Sequence, residues 1–214
     1  FNEDPFSIGD FTKEKIFIRE KKTDQSHIML GFQIPDATSN LRFASKVLST
    51  ILGGNSSSRL FQNIREEKGL CYYVHSSTTH YHDIGIFSVN AGVTVGKEQD
   101  AIEGINNELK NSIKKQPITA SEIADAKEFM KGTLALSLED SEEKALYLGK
   151  QLLLRGEILG MEEYKRKIDA VTIDEIEEIM TEYVAKSPYV LSLIGPIKSA
   201  QKESFVSPLL NSLL

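Results

Sequence analysis

Strand-like alternation near both ends and in the middle of the chain, with helical periodicity between, predicts an α+β fold. The expected architecture is a mostly antiparallel sheet with a helical layer on one face. Ile28, Leu30, Phe32 and Ile34 alternate with Met29, Gly31 and Gln33, and residues 72–82 are rich in Tyr, Thr, Val and Ser. Ile102, Ile105, Leu109 and Ile113 recur instead at helical spacing.

Taken in order, residues 1–10 read as an incoming linker, polar and interrupted by Pro5 and Gly9. Ile16 and Ile18, alternating with Phe17 and Arg19, predict a short strand. A polar turn and the strand at 28–34 follow, so the two strands are expected as a hairpin or as adjacent antiparallel neighbours. Thr38 or Ser39 is placed to cap a helix whose apolar positions are Leu41, Ala44, Val47, Leu48, Ile51 and Leu52. That stripe is wide enough to pack on a sheet.

Gly53 and Gly54 then close the helix, with positive φ expected there. Ser56 or Ser57 can cap a new short helix, anchored through Leu60, Phe61 and Ile64 and ended by Gly69. Residues 72–82 and 86–95 form a two-stranded meander around Asp83 and Gly85. Thr119 with Glu122 makes a capping box, Asp140 with Glu143 a second start running to Gly156, and Thr172 with Glu175 a third. A short helix is expected over 161–168, a last strand over 189–194, and a weakly patterned tail over 197–214. Pro117 allows a domain break, but the terminal strand more naturally returns to the sheet, so one domain over 1–214 is preferred.

At 214 residues, 40% hydrophobic and 26% charged, the chain can bury a sizeable core without staples. A net charge of −6 argues against nucleic acid as a partner. The single cysteine, Cys71, leaves no internal disulfide, and its apolar neighbours favour a buried inert thiol over a nucleophile. No apolar run approaches 18 residues, so no membrane span is expected. No signal peptide is visible, which favours a cytoplasmic location. The chain opens on Phe1 rather than Met, which fits a fragment of a longer protein and weakens that inference.

The candidate chemistry lies at 53–75. Arg65 near a helix end and Tyr72 at a strand mouth are seven residues apart across a tight turn. A guanidinium and a phenol on rigid elements can converge on one oxygen, which suits a carbonyl that becomes an oxyanion. The competing reading is an exposed helix-end arginine beside a half-buried strand tyrosine. Adjacent strand residues face opposite sides, so only one of Tyr72 and Tyr73 should reach such a site; spacing selects Tyr72. His80 and His82 would share one face of a strand, so a two-imidazole metal site is geometrically allowed, with Asp83 alone beside it. Solvent-side polar residues are the plainer reading. Gly53-Gly54-Asn55-Ser56 fits neither a nucleophile elbow nor a phosphate loop.

The string Ser-Ser-Arg-Leu-Phe-Gln-Asn-Ile-Arg-Glu-Glu-Lys-Gly-Leu-Cys-Tyr-Tyr-Val, residues 57–74, resembles the C-terminal, non-zinc half-domain of the insulinase/pitrilysin-type zinc metallopeptidases, processing-peptidase-like members above all. The resemblance extends more loosely over the whole chain. It implies a hydrolase, a metalloendopeptidase assembled from two halves, in which Arg65 and Tyr72 contact the substrate carbonyl. It implies that Zn²⁺ and His-x-x-Glu-His belong to a partner, either an N-terminal half-domain or a separate subunit. None of His27, His75, His80 and His82 stands in that arrangement, so this chain alone should bind no metal at such a motif and cleave nothing. The expected partners are a peptide substrate, the zinc-binding half and, as a further possibility, a second copy of the chain. The alternative is a non-catalytic assembly subunit of the same fold, as in the core proteins of respiratory complexes.

Overall fold

The computed structural model describes residues 15–197. The expected linker at 1–10 and all but the first residue of the expected tail lie outside that range. Five strands form one sheet: β1 (Lys15–Glu20), β2 (Gln25–Ile34), β3 (Cys71–His80), β4 (Gly85–Thr94) and β5 (Tyr189–Gly195), in the order β1-β5-β2-β4-β3. Every neighbouring pair is antiparallel except β1 with β5. The sheet is therefore mostly antiparallel, as the alternation predicts.

One pairing differs from expectation. β1 and β2 are not a hairpin, because β5 inserts between them and hydrogen-bonds to both. Leu191 and Leu193 of β5 are buried and lie level with Ile16 and Ile18 on one side and with Leu30 and Ile28 on the other. A strand with that inward row gains more apolar burial at the centre of the sheet than at its edge. The polar turn at 21–24 consequently spans two strand spacings, and Lys21 N–H donates to Gly195 O (2.8 Å).

Helices cover one face. α1 (Leu41–Gly53) lies against β3 and buries Ala44, Val47, Leu48 and Leu52, the predicted stripe. Each large aliphatic side chain so buried contributes about 1.5–3 kcal/mol. At its start Leu41 N–H donates to Ser39 Oγ (3.2 Å), and Asp36 Oδ1 accepts from the Thr38 and Ser39 amides. α2 (Glu98–Lys114), α3 (Ala120–Ser137), α4 (Ser141–Arg155), α5 (Met161–Asp169) and α6 (Ile173–Glu178) follow. Both Thr-x-x-Glu capping boxes are formed, and Asp140 caps α4. A π-helical segment, Ile179–Ala185, continues α6 and delivers the chain to β5. The opposite face of the sheet carries no helix among the described residues. It presents Met29, Tyr73, His75, Ser77 and Phe17 outward.

Gly53 and Gly54 do not adopt positive φ; Gly54 sits at φ −85°. Gly53 is required for close approach instead. A Cβ there would lie 2.4 Å from the backbone nitrogen of Ser76, so the glycine lets α1 rest directly on β3.

Candidate functional site

The segment leading to Arg65 starts differently from the expected serine cap. Asn55 Oδ1 accepts the Ser57 N–H (2.9 Å), an Asx turn, and Ser58 Oγ donates to Asn55 O (2.6 Å). The helix then winds as a π-helix over Phe61–Glu67 rather than as an α-helix. Leu70 N–H reaches back to Ile64 O (3.1 Å) and Lys68 N–H to Asn63 O (3.2 Å). Wide π turns recur at functional sites, where they redirect side chains. Leu60 and Ile64 are fully buried and fix the segment to the core.

Arg65 lies on the solvent side, 41% exposed, with its guanidinium carbon 4.6 Å from the centre of the Phe61 ring. Its nearest carboxylate, Glu66, is 3.9 Å away, a contact of little strength in water. Gly69 ends the segment and reverses the chain, as expected, and it does so at φ +59°. The Cys71 thiol is buried and pushed up to about 11 by that burial, with Arg65 acting weakly the other way. It is an inert packing residue.

β3 opens with a bulge. Cys71 pairs with Val93 and Tyr73 with Gly92, leaving Tyr72 as the extra residue. The bulge breaks strict alternation at this point, and Tyr72 and Tyr73 are both exposed. They differ in commitment. Tyr73 lies across Gly92, its hydroxyl is 3.0 Å from His27 Nδ1, and its ring stacks on His75. Tyr72 is 57% exposed, and its hydroxyl has no hydrogen-bond partner among the described residues. Arg65 and Tyr72 thus sit on either side of one turn, both facing solvent.

His80 and His82 do not share a strand face, because β3 ends at His80. His80 turns inward, with Nδ1 2.9 Å from Pro35 O and Nε2 3.4 Å from Ser45 Oγ, while His82 is exposed in the turn. Burial pushes His80 down to about 4, which keeps the imidazole neutral. Among the described residues no group of three or more His, Cys, Asp or Glu side chains is arranged to hold a metal ion.

Arg59, six residues before Arg65, has a role that sequence reasoning missed. Its guanidinium donates to both carboxylate oxygens of Glu122, to Ser112 Oγ and to the carbonyls of Gln116 and Pro117. It ties the focal segment to α2, α3 and their connection. Its signal was a long cation directly before the fully buried Leu60, a place where a charge needs partners.

The profile of the peptidase M16 inactive domain matches residues 2–130. The chain belongs to the peptidase M16 family. Its relatives include the uncharacterised zinc protease YmxG of Bacillus subtilis, 35% identical over 187 residues, which cover 87% of this chain and 45% of YmxG. A zinc protease of Streptomyces coelicolor is likewise 35% identical, over 85% of this chain and 39% of its own length. The chain spans less than half the length of these relatives. Among solved structures, the M16 inactive domain from Pseudomonas fluorescens superposes with a TM-score of 0.73 at 24% identity, covering 87% of this chain and 44% of that one. A chain of complex III from Candida albicans superposes with a TM-score of 0.78 at 20% identity, covering 92% and 49%. These two likenesses concern the fold. The M16 inactive domain is the half that the resemblance of residues 57–74 implies.

Proposed function

We infer that this chain is the non-zinc half of a zinc metalloendopeptidase and that Arg65 and Tyr72 bind the carbonyl of the scissile peptide bond. The observation that supports this most is the pair itself. Both groups stand exposed across the Gly69 turn with no strong internal partner, in a family whose relatives are named zinc proteases.

The relatives named zinc proteases and the match to the M16 inactive domain support assigning the metal to a partner half, carried on the same polypeptide or on another. Zinc bound there supplies a Lewis acid and a water whose pKa is lowered to about 7. This chain's contribution is electrostatic. The Arg65 guanidinium and the Tyr72 hydroxyl donate to the carbonyl oxygen and gain strength as negative charge builds on it. Both ride on anchored elements, Arg65 through Leu60 and Ile64 and Tyr72 through the β3 bulge, so little reorganisation accompanies the reaction. On this reading the chain cleaves peptides only when joined to the zinc-bearing half.

The test is to assemble the chain with a half carrying His-x-x-Glu-His and to compare peptide cleavage by wild type, Arg65→Ala and Tyr72→Phe. Loss of one donor is expected to cost about 2.7–4 kcal/mol, or roughly 100- to 1,000-fold in turnover. Unchanged turnover in both variants would remove the assignment.

A further inference from the structure

On the helical side of the molecule, α1, the end of β3 and α4 line an open cavity of ≈ 630 Å³. Its lining is strongly cationic: Arg42 and Lys46 from α1, Lys150 and Arg155 from α4. Arg42 is only 4% exposed. One of its terminal nitrogens donates to Ser39 O (2.9 Å), but its Nε–H has no partner. The buried Nε–H of Arg155 has none either. Lys46 Nζ faces the Tyr164 ring at 5.6 Å and makes no ion pair among the described residues.

The nearby carboxylates do not complete this cluster. Asp36 Oδ1 is taken by the Thr38 amide and hydroxyl and the Ser39 amide, and Glu157 is exposed. Neither forms an ion pair with any of the four cations. His80, which also lines the cavity, is neutral and hydrogen-bonded to Pro35 O. The cations repel one another: burial, Arg155 and Arg42 together pull the Lys46 amine down to about 8. Withdrawing charges from water without counter-charges is costly, and burying a guanidinium N–H without an acceptor adds to the cost. An anion seated among these groups removes both penalties. The Nε edge of an arginine presents donors in a planar fork matched to an oxyanion, and several cations facing so little opposing charge suit a dianion better than a single carboxylate.

We propose that this cavity binds a small phosphate-bearing molecule, its phosphate group held by Arg42, Lys46 and Arg155. The volume leaves room for an organic portion against Leu154 and Tyr147. The site is independent of the role assigned to Arg65 and Tyr72, and its test needs no cleavage activity.

Inorganic phosphate is titrated into the whole chain by calorimetry at neutral pH, with chloride adjusted to hold ionic strength constant. Saturable one-site binding is expected. Arg155→Gln and Lys46→Gln should each weaken it by about tenfold or more, since a hydrogen bond to a charged group is lost. Lys115→Gln, the same charge change outside the cavity, should leave binding as it is. Arg155 is part-exposed, so its variant retains the fold where an Arg42 substitution threatens it; circular dichroism checks this. A glutamate-rich peptide forms the comparison arm. Peptide binding without phosphate binding overturns the proposal in favour of an acidic protein segment. Absence of saturable phosphate binding, or equal binding by wild type and both cavity variants, overturns it outright.

Discussion

Arg59 and Glu122, 63 residues apart, form a two-bond clamp: Nε donates to Oε1 at 2.6 Å and Nη2 to Oε2 at 2.8 Å. The same carboxylate closes the capping box of α3 with Thr119. Removing the guanidinium would leave Glu122 with Thr119 as its only donor among the described residues and would strip the Arg59 bond from Ser112 Oγ and two backbone carbonyls. Arg59→Ala is therefore expected to destabilise the chain by about 2–4 kcal/mol, measured as a lower midpoint in urea with unchanged slope.

The clamp also sets a pH dependence. Hydrogen bonding to Arg59 is the main reason that the Glu122 carboxyl is pulled from 4.5 to about 2. A carboxyl with a depressed folded-state value stabilises the fold fully above its unfolded value and loses that contribution as pH falls. The loss should run from pH 4.5 to about 2. Because Glu122 is 31% exposed, the contribution is about 1–2 kcal/mol after allowance for solvent screening. Glu122→Gln should flatten the stability profile in that window.

A second acid window belongs to His80. Its folded value of about 4 lies below the ordinary 6.5 because the imidazole is buried. Between those values the unfolded chain binds the extra proton, so stability falls as pH drops from 6.5 to 4. His80→Gln should remove that slope while leaving the Glu122 window intact, as read by denaturant melts across the range.

Arg65 and Tyr72 should behave in the opposite way. Both are exposed and neither is embedded in a bond network, so Arg65→Ala and Tyr72→Phe are expected to change stability by no more than about 0.5 kcal/mol. Thermal melts of the isolated chain test this. A variant that melts normally yet loses turnover in the assembled enzyme has lost chemistry and not structure.

Gly53→Ala probes the scaffold beneath the site. The added methyl would press on the Ser76 amide at 2.4 Å, where backbone and not a flexible tip must yield. Separation of α1 from β3 should cost about 1–3 kcal/mol, visible as a lower melting temperature.

Much of this was legible in local chemistry. The capping boxes at Thr119 and Thr172, the helix-ending glycines Gly69 and Gly156 and the inward row of β2 all follow from propensity and period, because each depends on residues within a few positions of one another. The segment 57–74 pointed to the family for the same reason: it is one contiguous string.

What the chain settled on its own was the identity of its elements, the inert character of Cys71 and the placement of Arg65 and Tyr72 on either side of one turn. Tertiary structure alone decided that β5 lies between β1 and β2, that a bulge frees Tyr72 while Tyr73 is held by His27, and that Arg42, Lys46 and Arg155 meet in one cavity. Those outcomes depend on contacts between residues far apart in sequence, whose energies exist only after the sheet has closed and water has left the space between its layers.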